Sequence, residues 1–262
     1  MIALIAGRGH LPAELLDRLP NRPLVCAMAG SEPDQVDAEI IFRLEQLGSF
    51  LERLKAADVT EICLAGAVAR PHIDPSAIDA ATLPLVPVLQ GAIALGDDGA
   101  LRAVIAILEQ SGFAVRAAHE IAPDLLMEAG IPTKVKPGEI DKADAERAAS
   151  IVAALSAVDV GQACAVRSGQ AIGLETLFGT DWMLANLAAR PDGQGGLLFK
   201  APKSGQDRRA DLPTIGPATV EGAAMAGLNG IVLEAQGVIV LNREEVIAAC
   251  DRRGMFLWLR QG

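Results

Sequence analysis

The sequence predicts an α/β protein of two domains: an N-terminal Rossmann-like domain on an open parallel sheet, and a C-terminal mixed α/β domain. Three observations predict this. Short, nearly uncharged apolar runs alternate with amphipathic stretches across the first half, the pattern of buried parallel strands joined by crossover helices. A polar segment with two prolines, I-P-T-K-V-K-P-G-E at residues 131–139, interrupts that alternation and reads as a linker. Beyond it, two strand-like runs flank Ser168-Gly169, a hairpin signal that gives the second sheet an antiparallel pair. The domains are therefore expected at residues 1–130 and 140–262, and 262 residues, 51% of them hydrophobic, can supply two cores.

In chain order, I-A-L-I-A opens the first strand, followed by G-R-G-H-L-P and a helix beginning near Pro12. A strand, a glycine turn and a helix start place backbone N–H groups of Gly7, Gly9, His10 and Leu11 where a phosphate can sit. The loop lacks the third glycine of a dinucleotide fingerprint, so it reads as a general anion or nucleotide loop, or else as a tight turn. Residues 23–28 form a second strand. Leu44, Leu47, Phe50, Leu51 and Leu54 mark one face of a helix ending near Ala57. A third strand, 61–66, exits into A-V-A-R-P-H. Ligands collect at the carboxyl ends of such strands, so Gly66 and Arg70 are expected to share a crevice with the glycine loop. Leu101, Val104, Ile105 and Leu108 give a further helix, with Asp97 or Asp98 as its cap. A strand at 113–117 ends at A-H-E, where His119 and Glu120 read either as ligand contacts or as capping and surface residues.

In the second half, 141–154 is helical, and the hairpin joins 162–167 to 170–175. The segment E-T-L-F-G-T-D-W-M-L reads as a strand end, a turn and a helix with Thr180 or Asp181 at its N-cap. A strand at 195–200 feeds the most charged loop of the chain, F-K-A-P-K-S-G-Q-D-R-R-A-D-L-P-T-I-G at 199–216. There Lys200, Lys203, Arg208 and Arg209 accompany Asp207 and Asp211, and Pro202 and Pro213 deny the stretch a continuous helix. Cations and carboxylates on a constrained loop suit an anionic, metal-assisted substrate; a solvated surface loop is the plainer reading. Helices at 217–226 and 243–253 and short strands at 230–234 and 238–241 complete the pattern.

Composition excludes several classes of function. A net charge of −10, 3% aromatic residues and no Tyr argue against sequence-independent nucleic-acid binding, so any phosphate site is a local basic patch. Four dispersed cysteines without C-x-x-C read as buried thiols in a reducing compartment, and three scattered histidines argue against a zinc site. No basic leader precedes the first strand, and no 18-residue apolar run occurs. A soluble cytoplasmic protein is expected, one that could still touch a membrane surface.

Taken together, the motifs resemble one family. These are I-A-G-R-G-H-L-P at the N-terminus, L-A-G-A-V-A-R-P at 64–71, G-D-D at 96–98, D-V-G-Q at 159–162, E-T-L-F-G-T-D at 175–181, K-A-P-K at 200–203 and D-L-P-T-I-G at 211–216. Their order along nearly the whole chain resembles the I-type UDP-2,3-diacylglucosamine pyrophosphatases of lipid A biosynthesis. That resemblance implies a UDP-binding domain, a lipid-substrate hydrolase domain, and catalysis between them. It implies hydrolysis of UDP-2,3-diacylglucosamine to UMP and 2,3-diacylglucosamine 1-phosphate with Mg²⁺ or Mn²⁺. Asp211 falls on the family's essential aspartate, while Thr180, Asp181, Lys200 and Thr214 fall on positions expected to line phosphates or metal. A homodimer and transient contact with the inner membrane are further implications.

The residue chemistry agrees with this. A pyrophosphate repels an incoming hydroxide, and a hard cation held by Asp211 and Asp181 offsets that charge and acidifies water. Lys200 and Lys203 would stabilise charge on the transferring phosphoryl group, and one of Arg208 and Arg209 could clamp a phosphate. Phe178, Trp182, Met183, Leu184 and Leu187 are candidates for an acyl groove, or for ordinary core. Two positions depart from the family: Arg8 interrupts a run of glycines, and Ala67 stands where a polar residue is expected. The rival readings are a non-catalytic UDP-sugar binding protein, favoured by Ala67, and a nucleotide-cofactor oxidoreductase, favoured by the opening loop.

Overall fold

The structure, a computed structural model, describes residues 1–69, 71–93, 96–191 and 193–262, with side chains outside 92–98. Two compact units emerge. The first comprises Met1–Pro123 together with Asp207–Asp211, and the second comprises Asp124–Gln206 and Leu212–Gly262.

The first unit runs β1 (Ile2–Ala6), α1 (Leu11–Leu16), β2 (Leu24–Met28), β3 (Ile40–Phe42), α2 (Leu47–Ala56), β4 (Glu61–Ala65), α3 (Val86–Ile93), α4 (Gly96–Gln110), β5 (Ala114–Arg116) and the single turn α5 (Ala118–Ile121). Its five strands are all parallel in the order β3-β2-β1-β4-β5. The open parallel sheet is therefore as predicted, although β3, only three residues long, gives no periodic signal of its own. Ala3, Ile5, Cys26, Met28 and Ile62 from one sheet face pack with Phe50 and Leu54 of α2 and Ile105 and Leu108 of α4. Phe42 and Phe50 stack with ring centroids 3.9 Å apart.

The second unit runs α6 (Glu139–Ser156), β6 (Ala163–Arg167), β7 (Gln170–Leu174), α7 (Gly179–Leu187), β8 (Leu197–Lys200), β9 (Thr214–Ile215), α8 (Pro217–Met225), β10 (Gly230–Glu234), β11 (Ile239–Val240), α9 (Arg243–Arg253) and β12 (Phe256–Arg260). The main sheet has the order β12-β10-β8-β6-β7: its first three strands are parallel, and β6 and β7 are antiparallel to their neighbours. Strand alternation sorts its side chains into two layers. Cys164, Val166, Leu197, Phe199 and Val232 meet Ala145, Ala148 and Val152 of α6. Ala165, Leu198, Ile231 and Leu257 meet Met183 and Leu184 of α7, Val220 of α8 and Val246 of α9. The hairpin turns at Ser168-Gly169, both with positive φ, and their amides donate to Asp144 at 2.8 and 2.6 Å.

The polar segment 131–139 is tied to this unit, since Leu257 N donates to Thr133 Oγ1 at 2.9 Å. Besides β3, two pieces of the sheet framework were not read from the sequence. One is β12; the other is β9, which pairs in parallel with β11 as a separate two-stranded sheet. All four cysteines are buried and free, as expected.

Candidate functional site

In the first unit, the strand order turns around β1, so the exits of β1 and β4 form the switch point where ligands bind in open α/β sheets. Backbone hydrogen bonds clasp these two exits together. Arg8 N donates to Ala67 O and Ala67 N donates to Arg8 O, both at 2.9 Å, while Gly7 N donates to Ala65 O at 2.8 Å. The two loops approach so closely that a Cβ on Gly7 would lie 2.4 Å from Ala67 O. Gly66, at φ +92°, would put one 2.8 Å from Arg8 O. Both glycines are required, and Ala67 takes part through its amide and carbonyl.

The loop after β2 closes on the same edge. Arg8 Nη2 donates to Gly30 O at 2.8 Å, Gly9 N donates to Asp34 Oδ2 at 2.7 Å, and Ala69 N donates to the buried Ser31 Oγ at 3.0 Å. The expected phosphate-facing amide of Gly9 is thus held by a carboxylate. His10 precedes a helix of only six residues, with Pro12 and Leu11 in its first turn. Arg70 lies outside the described residues, as do the side chains of Asp97 and Asp98.

Asp211 belongs to this unit as the last residue of the returning segment 207–211. Its amide donates to Asp207 O at 3.3 Å. Of the two arginines of which one is expected to clamp a phosphate, Arg209 is bound to Asp207 through Nε at 3.0 Å and Nη2 at 2.7 Å, and to Glu109 through Nη1 at 2.5 Å. His119 is partly buried, and its Nδ1 has no hydrogen-bond partner among the described residues. Burial, and then the charge of Arg208, hold its pKa below the usual value. Glu120 caps its own turn, accepting from Ala117 N at 3.0 Å and from Arg116 Nε at 2.9 Å.

In the second unit, a buried polar cluster forms at the end of β8. Lys200 continues the face of Leu198, so its side chain enters the layer beside α7. Its Nζ donates to Thr180 Oγ1 at 2.7 Å and lies 3.6 Å from Glu175 Oε2. Thr180 Oγ1 donates in turn to Glu175 Oε2, and Gln162 N donates to Glu175 Oε1 at 2.9 Å. Lys200, Thr180 and Glu175 are each 8% exposed. A buried charge is tolerated when it is paired and hydrogen-bonded, and here each is. Gly161 allows the approach, because a Cβ there would meet Glu175 O at 2.2 Å.

The expectation that Thr180 or Asp181 caps α7 is overturned. The helix begins at Gly179 with Phe178 as N-cap residue and no side-chain cap, because the Thr180 hydroxyl is committed to Lys200 and Glu175. Asp181 lies in the first turn and is exposed. Lys203 stands apart from the cluster, its Nζ 2.6 Å from Asp159 Oδ1. Thr214 sits on β9, its hydroxyl donating to Leu212 O at 3.2 Å. Of the acyl-groove candidates, Met183, Leu184 and Leu187 are core, whereas Phe178 and Trp182 are exposed with ring centroids 5.2 Å apart.

Glu175 is not singled out by the sequence as the buried partner of Thr180 and Lys200. The signal for it was Lys200 itself, a cation on the core-facing alternation of a strand that needs a buried acid. Among the described residues, no group of three or more His, Cys, Asp or Glu side chains is placed to hold a metal. One or two carboxylates, completed by substrate phosphates and water, is the donor set Mg²⁺ takes; of the two expected ligands, Asp211 belongs to the first unit and Asp181 to the second. No described helix is long and apolar enough to cross a membrane.

The LpxI N-terminal domain model matches residues 1–125, and the LpxI C-terminal domain model matches residues 128–258. The chain is 35% identical to the UDP-2,3-diacylglucosamine pyrophosphatase LpxI of Caulobacter vibrioides, over 98% of this chain and 96% of that protein. With both domain models matched in order and a relative aligned from end to end, the chain belongs to the LpxI family.

Proposed function

We propose that the protein hydrolyses the pyrophosphate of UDP-2,3-diacylglucosamine to UMP and 2,3-diacylglucosamine 1-phosphate, in lipid A biosynthesis. The end-to-end match to a relative named for that activity carries the reading. The glycine-clasped edge of the first unit supports it as the nucleotide site, where Gly7, Gly9, His10, Leu11, Gly66 and Arg70 would face the UDP moiety. Ala67 contributes to that edge through its backbone, so a small side chain there does not favour a merely binding protein.

In this reading Asp211 is the central carboxylate, and Asp211 with Asp181 would hold Mg²⁺ or Mn²⁺. A divalent cation, when bound, offsets phosphate charge and lowers the pKa of water. Lys200 is a fixed donor. It gives one N–H to Thr180 and pairs with Glu175, which leaves donor capacity for a phosphate oxygen as charge develops. The Thr180 proton is committed to Glu175, so its hydroxyl can only accept from a further group, and it serves to aim Lys200. Lys203 and Thr214 would add contacts to the phosphates.

The same reading makes the protein a cytoplasmic homodimer that touches the inner membrane surface transiently. The apolar side chains left exposed on and before α7 and at the end of α8, Leu177 at 87% and Phe178, Trp182 and Met225 above half, support an apolar partner there.

The test is UMP release from UDP-2,3-diacylglucosamine with Mg²⁺, with Mn²⁺ and with chelator. Metal-dependent release is expected, falling on the order of a thousandfold in Asp211→Ala while substrate is still bound. Undiminished turnover in Asp211→Ala would remove Asp211 from the centre of the reaction.

A further inference from the structure

We propose that Arg209 is a positioning residue, whose guanidinium fixes the segment carrying Asp211 to α4 of the first unit through Asp207 and Glu109; this rests on the reading of Asp211 as the catalytic carboxylate. The segment 207–211 is a single turn. Its amides at Ala210 and Asp211 both donate to Asp207 O, at 3.2 and 3.3 Å, and Arg209 N donates to Asp207 Oδ1 at 3.0 Å. Asp211 therefore sits one turn beyond Asp207, and its direction follows that of the turn.

Left to itself, a five-residue turn between two proline-bearing stretches is free to rotate. Three features hold this one. Arg209 grips Asp207 as a fork, Nε to Oδ1 and Nη2 to Oδ2, the planar two-point geometry that fixes orientation as well as distance. Its remaining nitrogen, Nη1, reaches Glu109 at 2.5 Å. Ala210 packs against the core of the first unit.

The α4 side is prepared for this contact. Arg102 and Glu109 are two turns apart on one helix face, and the charge of Arg102, after the stronger hydrogen bonds from Arg209, also favours ionised Asp207. The row alternates in sign: Arg102, Asp207, Arg209, Glu109. Partly exposed ion pairs contribute little net stability, so a network this specific is better explained by placement than by folding. A lysine in place of Arg209 could satisfy one carboxylate but not fork one while reaching the other.

The experiment uses the full chain and measures kcat and KM for UMP release from UDP-2,3-diacylglucosamine, alongside hydrogen exchange of the peptide spanning residues 204–213. Arg209→Met, which keeps the aliphatic stem, should lower kcat by about tenfold to a hundredfold with KM changed less than about threefold, since a small misplacement of a reacting group costs that much. Glu109→Gln should lower kcat less. The double variant should be no worse than Arg209→Met, because both changes release one contact. Exchange in the peptide should rise in all three variants while the thermal midpoint stays near wild type.

An active wild type, an inactive Asp211→Ala and an Arg209→Met at the wild-type rate would overturn this inference and leave the reading of the site intact. An Asp211→Ala as fast as wild type would overturn that reading, and the inference with it. Unchanged exchange in Arg209→Met would show that the segment is held by other contacts, which also overturns the inference.

Discussion

Each unit buries one glutamate, and the two are buried in different ways. Glu45 in the first unit is 3% exposed, but its partner Arg43 keeps half its side chain in water. Its oxygens take Arg43 Nη2 at 2.8 Å and the amide of Asp74 at 2.9 Å, which ties residues 74–82 to the turn before α2. In the second unit the side chains of Glu175 and Lys200 are 11% and 10% exposed, and the hydroxyl between them is buried as well. Pairing an acid with a solvated arginine is a low-cost staple. Removing both ions from water costs several kcal/mol per ion before attraction and hydrogen bonds return it, and apolar residues of similar volume would often do as well. The first arrangement is a plain fold staple, whereas the second carries a desolvation cost that apolar residues would avoid.

The largest effect should come from breaking the costlier pair. Glu175→Ala leaves Lys200 charged and unpaired and should remove about 3–5 kcal/mol of stability in a denaturant titration. The double variant Glu175→Leu with Lys200→Met should recover most of that stability yet release no UMP. A double variant that is both stable and active would show that this pair, like Glu45, is a fold element. Next in size, Thr180→Val removes a hydroxyl that accepts from Lys200 and donates to Glu175, and should cost about 1–3 kcal/mol while lowering kcat. The same loss of stability with unchanged kcat would separate the cluster from the chemistry.

The smallest effect belongs to the staple. Glu45→Gln keeps an acceptor for the Asp74 amide and should cost about 1 kcal/mol, without changing kcat. Its pH signature follows from the carboxyl, held down to about 2 from an ordinary 4.5, chiefly by the hydrogen bond from Arg43. A depressed carboxyl contributes fully above about pH 4.5, and that contribution fades as pH falls toward 2. Arg43→Met should flatten this part of the stability–pH curve, measured by thermal midpoints; a curve of unchanged slope would mean the staple does not need its cation.

The same contrast shows what could be read from the chain beforehand. Gly7 and Gly66 read as ligand-facing glycines, whereas the structure accounts for them by a close backbone approach that leaves no room for a side chain; the parallel sheet of the first unit was legible because its longer strands are short apolar runs. Glu175 was not, because its partners stand 5 and 13 residues away along the chain and no local spacing rule joins them. Thr180 or Asp181 reads as the cap of α7, the role their positions favour locally, but the helix starts at Gly179 and tertiary contacts claim the Thr180 hydroxyl. For β3, β9 and β12, the first two are too short for a period to show, and the third lies in a tail whose hydrophobic run resembles a helix end as much as a strand. Nothing in A-D-L-P-T indicates which unit residues 207–211 pack against, since one alanine is their only apolar anchor.

That returning segment bears on how such a chain can change over generations. Residues 1–125 match one family model, yet the compact unit they build also includes residues 207–211 from the other half. Glu109 and Arg209, 100 positions apart, are partners that a gene cut near the boundary would separate. Exchanging either half with a relative's would bring a helix face to a segment it did not evolve beside. Substitutions on α4 and in the returning segment are therefore expected to arise in compensating pairs.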